Sequence, residues 1–340
     1  MSRVAVMGAG GWGTALALVA GRAGHEVRVW SRGREVADEI NARRENSKYL
    51  AGHELPARVS ATTEVEGALE GAELVVLAAP SHATRELLGR VSRAARAEMI
   101  FVSATKGIEI ETGRRVSEIT TDVLSPFVAR PRFVCLSGPS FAQEVAAGHP
   151  TAVVAASEDE ELARRVQTAL SVQSFRVYTN ADVAGTELGG SLKNVMAIAS
   201  GMVAGLGFGT NSVAALITRG LAEMTRLALK HGARAETLMG LAGLGDLVLT
   251  CTGGLSRNRF VGQELGRGRA LADVLAGMKE VAEGVRTTRA VKLLAERTGV
   301  EMPITNEVHA VLYEGKAARD AADALMSRPL KGEFEGMGIV

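Results

Sequence analysis

The chain has 340 residues, which fits about two domains of roughly 100–200 residues each. Hydrophobic residues make up 46% and charged residues 23%, a balance that excludes wholesale disorder and fibrous structure. With 39 basic and 38 acidic residues the net charge is +1, which excludes a general field for holding nucleic acid or an anionic membrane.

Short apolar runs alternate with longer helix-like segments through the first half of the chain, a pattern typical of a doubly wound parallel sheet. The predicted strands are Arg3–Met7, Glu26–Trp30, Glu73–Ala78, Met99–Ser103, Arg132–Leu136 and Thr151–Ala155. From about residue 180 the pattern becomes helical, with predicted helices at Ala181–Gly205, Ser212–His231, Leu271–Met278 and Val285–Thr298. We therefore expect an α/β domain over residues 1–182, an all-α domain over 183–330 and a loose tail over 331–340.

The first strand leads into a glycine-rich turn and then a helix, which is the order that a dinucleotide requires. The turn reads G-x-G-x-x-G, formed by Gly8, Gly10 and Gly13, with Gly11 and Trp12 inside it. Gly8 permits the sharp turn, Gly10 lets the backbone approach a pyrophosphate, and Gly13 lets the helix pack on the strand. The helix start then offers free N–H groups to the anion. This predicts a Rossmann-type domain; the alternative is a glycine turn with a structural role only.

The end of the second strand bears on the choice of cofactor. NAD-preferring sites often carry an acidic residue there, but this chain reads Ser31-Arg32-Gly33-Arg34. Guanidinium groups can bind a 2′-phosphate in a bidentate way, so NADP is expected to be accepted and NADPH to be favoured. Arg32 is the better candidate, whereas Arg34 is interpreted as a solvated surface residue.

Polar residues also follow later strands, where ligands bind in open α/β sheets. Lys106 follows one strand and could place its charge beside a phosphate or a reacting oxygen. The alternative is a surface lysine, but the glycine after it and its position at the end of a strand favour a site. Gly138 and Ser140 follow the next strand, just before Ala142. Here the alternative is a plain loop in which Ser140 caps the following helix.

A dehydrogenase needs a group that takes the proton of the alcohol, and we assign none of the six histidines to this role. Lys193 is the better candidate because Gly189 and Gly190 precede it by four and three residues and clear its helix face of bulk. A ligand could lie on that face, with the pKa of Lys193 lowered by desolvation. Close helix packing against the first domain, with Lys193 in solvent, explains the glycines equally well.

A second glycine-rich stretch brings together groups that suit an anion. Asp246 is followed at a short distance by Ser256, Arg257 and Asn258, and a helix begins there. In the alternative, Asp246 and Ser256 are helix caps and the arginines are solvated. The two cysteines lie far apart and outside any metal-ligand spacing, so we expect neither a disulfide nor a metal site.

Taken together, these motifs resemble the bacterial-type NAD(P)-dependent glycerol-3-phosphate dehydrogenases along nearly the whole chain. The segments that carry the resemblance are GAGGWGTALA from Gly8, SATKGIE from Ser103, SGPSFAQEV from Ser137, ELGGSLKNVMAIASG from Glu187, GLAGLGDLVLTCTGGLSRNRFVG from Gly240 and VAEGVRT from Val281. The resemblance implies interconversion of sn-glycerol 3-phosphate and dihydroxyacetone phosphate, which supplies glycerophospholipid synthesis. Related β-hydroxyacid dehydrogenases and a non-catalytic dinucleotide sensor remain the alternatives.

The resemblance also implies roles for single residues. Lys193 corresponds to the proton acceptor, which also touches substrate. Substrate contacts correspond to Lys106, Gly138, Ser140, Asp246, Ser256, Arg257 and Asn258, and the cofactor contacts to Gly11, Trp12, Arg32, Lys106, Ala142, Arg257, Val281 and Glu283. Asn194 and Thr250 match residues around the site in eukaryotic relatives. Gly11 and Gly33 stand where relatives can carry polar side chains, so only backbone contacts are expected there.

The remaining expectations concern location and partners. The N-terminus lacks the features of a signal peptide, and no apolar run approaches the ~20 residues that span a bilayer. We therefore expect a cytoplasmic protein without a membrane segment, acting on a small molecule and not on nucleic acid. A homodimer is the expected assembly.

Overall fold

The structure is a computed structural model that describes residues 1–278, 282–333 and 335. It divides into two compact units. The first holds Met1–Thr105 and Val116–Val183, and the second holds Lys106–Arg115 and the described residues from Ala184 onward. The segment 106–115 thus packs with the second unit, whereas the sequence interpretation included it in residues 1–182. The tail predicted for 331–340 lies mostly outside the described residues.

The first unit is built on a sheet of eight strands within the described part of the chain. They are β1 (Arg3–Met7), β2 (Glu26–Trp30), β3 (Val59–Thr62), β4 (Leu74–Leu77), β5 (Ile100–Ser103), β6 (Arg132–Ser137), β7 (Thr151–Ala156) and β8 (Phe175–Asn180). The spatial order is β3-β2-β1-β4-β5-β6-β7-β8. This confirms the predicted doubly wound α/β architecture.

Two features of the sheet differ from the prediction. First, β6 and β7 pair antiparallel, so β7 and β8 run against the six parallel strands. Second, the sequence prediction missed β3 and β8, which are the edge strands. Both have several exposed or half-buried positions, and a half-exposed strand gives a weaker hydrophobic signal than a buried one.

The strand order explains where a ligand can bind in this unit. Because β2 and β4 flank β1, the chain reverses its direction of travel across the sheet at β1. Open α/β sheets bind ligands outside the carboxyl ends of the strands at such a switch point. The glycine-rich turn from Gly8 follows β1 directly, so it lies at this point.

The helices of the first unit cover the sheet. They are α1 (Gly11–Arg22), α2 (Arg34–Arg43), α3 (Ser47–Leu50), α4 (Val65–Leu69), α5 (Thr84–Val91), α6 (Val116–Leu124), α7 (Ala142–Ala146) and α8 (Glu160–Leu170). Aliphatic side chains of β1 and α1 share one buried core with those of β6, β7 and α8. A second cluster around Phe101 fills the opposite side.

The second unit is helical in its described part. Its helices are α9 (Val183–Gly205), α10 (Thr210–Lys230), α11 (Ala235–Met239), α12 (Asp246–Thr252), α13 (Arg257–Gly266), α14 (Leu271–Ala276), α15 (Glu283–Thr298), α16 (Pro303–Tyr313) and α17 (Ala318–Met326). A π-helical turn, Leu241–Gly245, leads directly into α12. None of the described helices is long and apolar enough to cross a membrane.

Glycines let α9 and α13 pack backbone against backbone. A Cβ on Gly201 would lie 2.0 Å from the Arg259 carbonyl oxygen, and one on Gly262 would lie 1.9 Å from that of Ile198. Gly205 and Gly266, one turn further along each helix, face the partner backbone in the same way. These four glycines therefore serve helix packing, which holds α13 against the C-terminal part of α9.

Candidate active site

The turn after β1 has the geometry of a dinucleotide loop. Gly8 adopts a φ of +130°, and a Cβ there would lie 2.7 Å from the Ala78 carbonyl oxygen at the end of β4. A Cβ on Gly13 would lie 1.9 Å from the Gly8 carbonyl oxygen, whereas one on Gly10 would meet no atom within 4 Å. Gly8 and Gly13 are thus required by packing, and Gly10 leaves open space beside the backbone.

The start of α1 offers donors to that open space. The first helical hydrogen bond runs from the Thr14 N–H to the Gly10 carbonyl at 2.9 Å, so the N–H groups before it have no partner inside the helix. The Trp12 Nε1 atom is buried and has no hydrogen-bond partner within the described residues. These donors and the helix dipole fit a pyrophosphate.

The end of β2 carries the two arginines singled out by the sequence. Arg32 is exposed in the turn, and Arg34 is the first residue of α2. The buried Ser31 hydroxyl donates to the Gly33 carbonyl at 2.9 Å, which holds the turn closed from within. Arg32 therefore stands in solvent just after the strand that neighbours β1 and its glycine-rich turn.

The loop after β6 places three further candidates. Gly138 has a φ of +138°, and a Cβ there would lie 3.0 Å from the Val153 Cα. The Ser140 hydroxyl donates to the Gly138 carbonyl at 2.9 Å. Ala142 begins α7, and the residue before it is Phe141, so Ser140 does not cap this helix.

In the second unit, one buried carboxylate bridges two lysines. Lys193 on α9 donates to the Asp246 Oδ1 atom at 2.5 Å, and Lys106 in the segment 106–115 donates to the Oδ2 atom at 2.6 Å. Asp246 is fully buried, and Lys193 is 6% exposed. The structure thus brings together three residues that are 53 to 140 positions apart in the sequence.

Thr250 completes the coordination of the Lys193 amine. Lys193 donates to the Thr250 Oγ1 atom at 2.7 Å, and that hydroxyl donates to the Asp246 carbonyl, one turn earlier on α12, at 2.6 Å. Two ammonium protons are therefore held by protein oxygens. The third has no acceptor in the described part of the chain, so the amine is oriented and still has one position for a ligand.

Burial lowers the pKa of Lys193 to about 8. The dominant cause is desolvation of the ammonium group, and the charge of Lys106 acts in the same direction. The carboxylate of Asp246 opposes both and keeps the pKa from falling further. A lysine with a pKa near neutrality is suited to exchange a proton.

The glycine before Lys193 has a packing role. A Cβ on Gly189 would lie 2.6 Å from the Ala242 carbonyl oxygen in the π-helical turn. Close approach at this point brings α12, and with it Asp246, to the amine. The interpretation of this face as a ligand surface was therefore incomplete, and the alternative of a solvent-exposed Lys193 is wrong, because the side chain is buried.

The first residues of α13 form a second polar group. Ser256 caps the helix, since its hydroxyl oxygen accepts from the Arg259 N–H at 3.2 Å. The Asn258 amide donates to the Asn194 Oδ1 atom at 2.9 Å and accepts from the Gly284 N–H at 2.9 Å. Arg257 is exposed. Asn258 thus links α9 to the start of α15.

The remaining candidates lie at the start of α15. Glu283 is the first residue of that helix and is half-buried, next to Gly284. Val281 lies outside the described residues. Asp246 does not cap α12, because the capping position belongs to Gly245 and the carboxylate faces the lysines. Within the described residues no group of histidine, cysteine or carboxylate side chains could hold a metal ion.

Family models and sequence relatives identify the family of the chain. The N-terminal model of NAD-dependent glycerol-3-phosphate dehydrogenase matches residues 3–163, and the C-terminal model matches residues 182–323. The chain is 57% identical to the glycerol-3-phosphate dehydrogenase [NAD(P)+] of Koribacter versatilis over 97% of this chain and 98% of that one. The corresponding protein of Geobacter sulfurreducens is 53% identical over the same shares. The chain belongs to the NAD-dependent glycerol-3-phosphate dehydrogenase family.

Solved structures of the family have the same fold. The glycerol-3-phosphate dehydrogenase of Coxiella burnetii superposes with a TM-score of 0.92 at 41% identity, over 96% of this chain and 99% of that one. That of Saccharomyces cerevisiae gives a TM-score of 0.81 at 26% identity, over 95% and 98% of the two chains. The resemblance found in the sequence motifs is thereby confirmed for the chain as a whole.

Sequence reasoning did not find how the dehydrogenase motifs connect in space. It named Lys106, Lys193 and Asp246 but predicted no contact between them, and it gave Asn194 and Thr250 only a secondary place. The i, i+4 spacing of Asp246 and Thr250 on a helix was a usable signal, because such residues share one face. No local signal related Asn258 to Gly284.

Proposed function

We propose that this chain catalyses the reversible NAD(P)-dependent interconversion of sn-glycerol 3-phosphate and dihydroxyacetone phosphate. Membership of the family supports the reaction. The observation that carries the mechanism is the buried Lys193 amine, oriented by Asp246 and Thr250. A bound nicotinamide would supply the hydride acceptor, or in the reverse direction the hydride donor, for the C2 carbon.

Lys193 exchanges the proton of the C2 oxygen. In the oxidative direction the neutral amine keeps two protons, which Asp246 and Thr250 accept, so its lone pair points to the remaining position. A substrate hydroxyl in that position loses its proton to Nζ as hydride leaves. In the reductive direction the ammonium donates its third proton to the carbonyl oxygen. A pKa of about 8 makes both forms accessible near neutral pH.

Lys106 supports this proton transfer from the other carboxylate oxygen of Asp246. Its charge disfavours the ammonium form of Lys193 and so keeps the base available. We assign Lys106 a further contact to the substrate oxygen and to the cofactor. Its side chain is 18% exposed, which leaves part of it accessible to a ligand.

The start of α13 is proposed to hold the substrate phosphate. The helix dipole, the Arg257 guanidinium, the Asn258 amide and the Ser256 hydroxyl all favour a dianion. Because the Ser256 oxygen already accepts a backbone N–H, the hydroxyl proton remains for the phosphate. Gly138 and Ser140 are the further substrate contacts. A phosphate site distinguishes this reaction from that of a dehydrogenase for unphosphorylated hydroxyacids.

The cofactor contacts we propose begin at the dinucleotide loop. Backbone N–H groups from Gly11 and Gly13 serve the pyrophosphate, with Gly8 and Gly10 shaping the loop and the Trp12 indole beside it. Arg32 receives the 2′-phosphate of NADPH, which we expect to be preferred. The remaining cofactor contacts that we propose are Ala142, Arg257, Val281 and Glu283.

The cellular role we propose is the supply of glycerol 3-phosphate for glycerophospholipids. We further propose that the protein works in the cytoplasm as a homodimer. Size-exclusion chromatography with light scattering measures the assembly directly. A monomer at micromolar concentration would contradict the homodimer.

The reaction is tested by following the absorbance of reduced nicotinamide with dihydroxyacetone phosphate, using NADH and NADPH in parallel. We expect consumption of both, and faster turnover with NADPH at low concentration. Unphosphorylated dihydroxyacetone is the matched control and should react far more slowly. Cofactor binding without consumption would favour a sensor. Formation of reduced nicotinamide from NAD(P)+ with 6-phosphogluconate or 3-hydroxyisobutyrate would favour the β-hydroxyacid dehydrogenases.

A further inference from the structure

A buried ion pair holds the far end of the segment that carries Lys106. Arg115, the last residue of the segment 106–115, pairs with Glu187 on α9, with 3.2 Å between the Nη1 and Oε2 atoms. The Glu187 side chain is only 4% exposed and that of Arg115 19%. A pair so shielded from water is screened little, so it can fix geometry, unlike a pair on the surface.

The segment is also held at points between its ends. Ile108 lies in the apolar core of the second unit, and the Thr112 carbonyl accepts from Arg297 at 3.2 Å. Two backbone hydrogen bonds close a turn inside it: Glu109 N–H to the Arg114 carbonyl at 3.0 Å, and Gly113 N–H to the Glu109 carbonyl at 2.8 Å. A closed turn moves as a unit, so a shift at Arg115 is transmitted towards Lys106.

Both ends of the segment 106–115 are connected to helix α9. Lys106 reaches α9 through Asp246 and Lys193, and Arg115 reaches it at Glu187. These two positions on α9 are separated by about 9 Å along the helix axis, at 1.5 Å per residue. The ion pair and the Lys106–Asp246 contact therefore hold the two ends of the segment at fixed positions relative to α9.

We propose that Arg115 and Glu187 are a positioning pair for the dehydrogenase reaction, which acts through Lys106 on the proton exchange at Lys193. This inference rests on the proposed function. Neither residue needs to touch the substrate or the cofactor. Loss of the pair allows Lys106 to withdraw from Asp246, so that the catalytic lysine loses a neighbouring positive charge and gains access to water.

Loss of the ion pair should shift the pH profile of kcat in one direction only, towards higher pH. The charged groups around Lys193 are Asp246 and Lys106, with the Cys251 thiol nearby, whose own pKa burial raises to about 12. Withdrawal of Lys106 removes a repulsive charge, and added water stabilises the ammonium form; both raise the pKa of Lys193. The fall of the reductive kcat with rising pH should therefore move to higher pH, and the rise of the oxidative kcat should move the same way.

The test compares Arg115→Met, Glu187→Gln and the double variant with the wild-type enzyme. Misplacement of a catalytic group can cost up to about 100-fold, so we expect kcat at neutral pH to fall by about 10- to 100-fold. The double variant should be no slower than the slower single one, because both remove one interaction. Arg115→Lys, which keeps the charge, should retain most of the activity and also covers the case in which Arg115→Met fails to fold.

Arg267→Met is the matched control, since Arg267 also forms an ion pair in the same unit, with Glu264, which is not part of the segment 106–115 or of α9. It should keep the wild-type kcat and pH profile. A second readout does not depend on turnover: the rate at which Lys106 is acylated by an amine reagent, measured by peptide mass spectrometry, should rise in Arg115→Met and not in Arg267→Met.

Three results would overturn the inference: unchanged Lys106 labelling in Arg115→Met, an unshifted pH profile, or losses that multiply in the double variant. Failure of the proposed function is distinguishable from these. In that case the wild-type protein itself does not consume NADPH with dihydroxyacetone phosphate, while the labelling experiment still decides whether the ion pair positions Lys106.

Discussion

Replacing Asp246 with asparagine tests the effect of the negative charge that lies between Lys106 and Lys193. The side chain keeps nearly the same shape and one oxygen, but the negative charge is lost. At roughly 4 Å between charge centres and an effective dielectric constant of about 20, the attraction on Lys193 is about 4 kcal/mol. At 1.36 kcal/mol per pH unit this is an upper limit of about three units, which the amide dipole and entering water reduce.

The direction in which the pKa of Lys193 changes follows from the negative charge of the Asp246 carboxylate. Asp246 raises the pKa of Lys193 against desolvation and Lys106, so the variant should have a lower pKa there. In the proposed mechanism, reduction of dihydroxyacetone phosphate needs the ammonium form, so kcat is expected to fall as pH rises through this pKa. In Asp246→Asn that fall should begin at least about one pH unit lower than in the wild type.

The assay is kcat against pH with saturating dihydroxyacetone phosphate and NADPH. Glu264→Gln is the control, since it removes a buried carboxylate that faces Arg267 and Arg269 in the same unit. In Glu264→Gln, the pH at which kcat has fallen to half its maximum should be the same as in the wild type. If the midpoint in Asp246→Asn stays where it is in the wild type, or moves to higher pH, the reasoning about Lys193 is refuted.

Three further predictions concern single contacts. Lys193→Ala should lower kcat by a factor of about 10²–10⁴, which is the usual contribution of a general acid or base. Its Kd for NADPH, measured by fluorescence titration, should be unchanged. Near-normal turnover would exclude Lys193 as the general acid or base. Gly262→Ala should destabilise the protein by about 1–3 kcal/mol in urea unfolding, because its Cβ would overlap the Ile198 carbonyl; alanine at the open Gly254 should cost less, and equal effects would contradict the helix contact. Arg32→Ala should raise the KM for NADPH and leave that for NADH nearly unchanged; equal rises would remove Arg32 from the 2′-phosphate site.

The glycines show how far sequence reasoning reaches. The turn at Gly8 could be predicted because the need for glycine there is local: a strand, a tight turn and a helix follow one another along the chain. Gly201 and Gly262 could not be assigned, because the backbone that each must approach belongs to a helix some 60 residues away in the sequence. The packing role of these two glycines was therefore visible only in the folded structure.

The sequence by itself determined the family and the alternation of strands and helices, and it pointed to the lysine and carboxylate that we propose carry the chemistry, since periodicity and motif composition are local properties. Tertiary structure decided the rest. It reversed the last two strands of the sheet, assigned the segment 106–115 to the helical unit and placed Asp246 between Lys106 and Lys193. Burial and charge proximity set the pKa of Lys193, and both are properties of the fold that no single stretch of sequence contains.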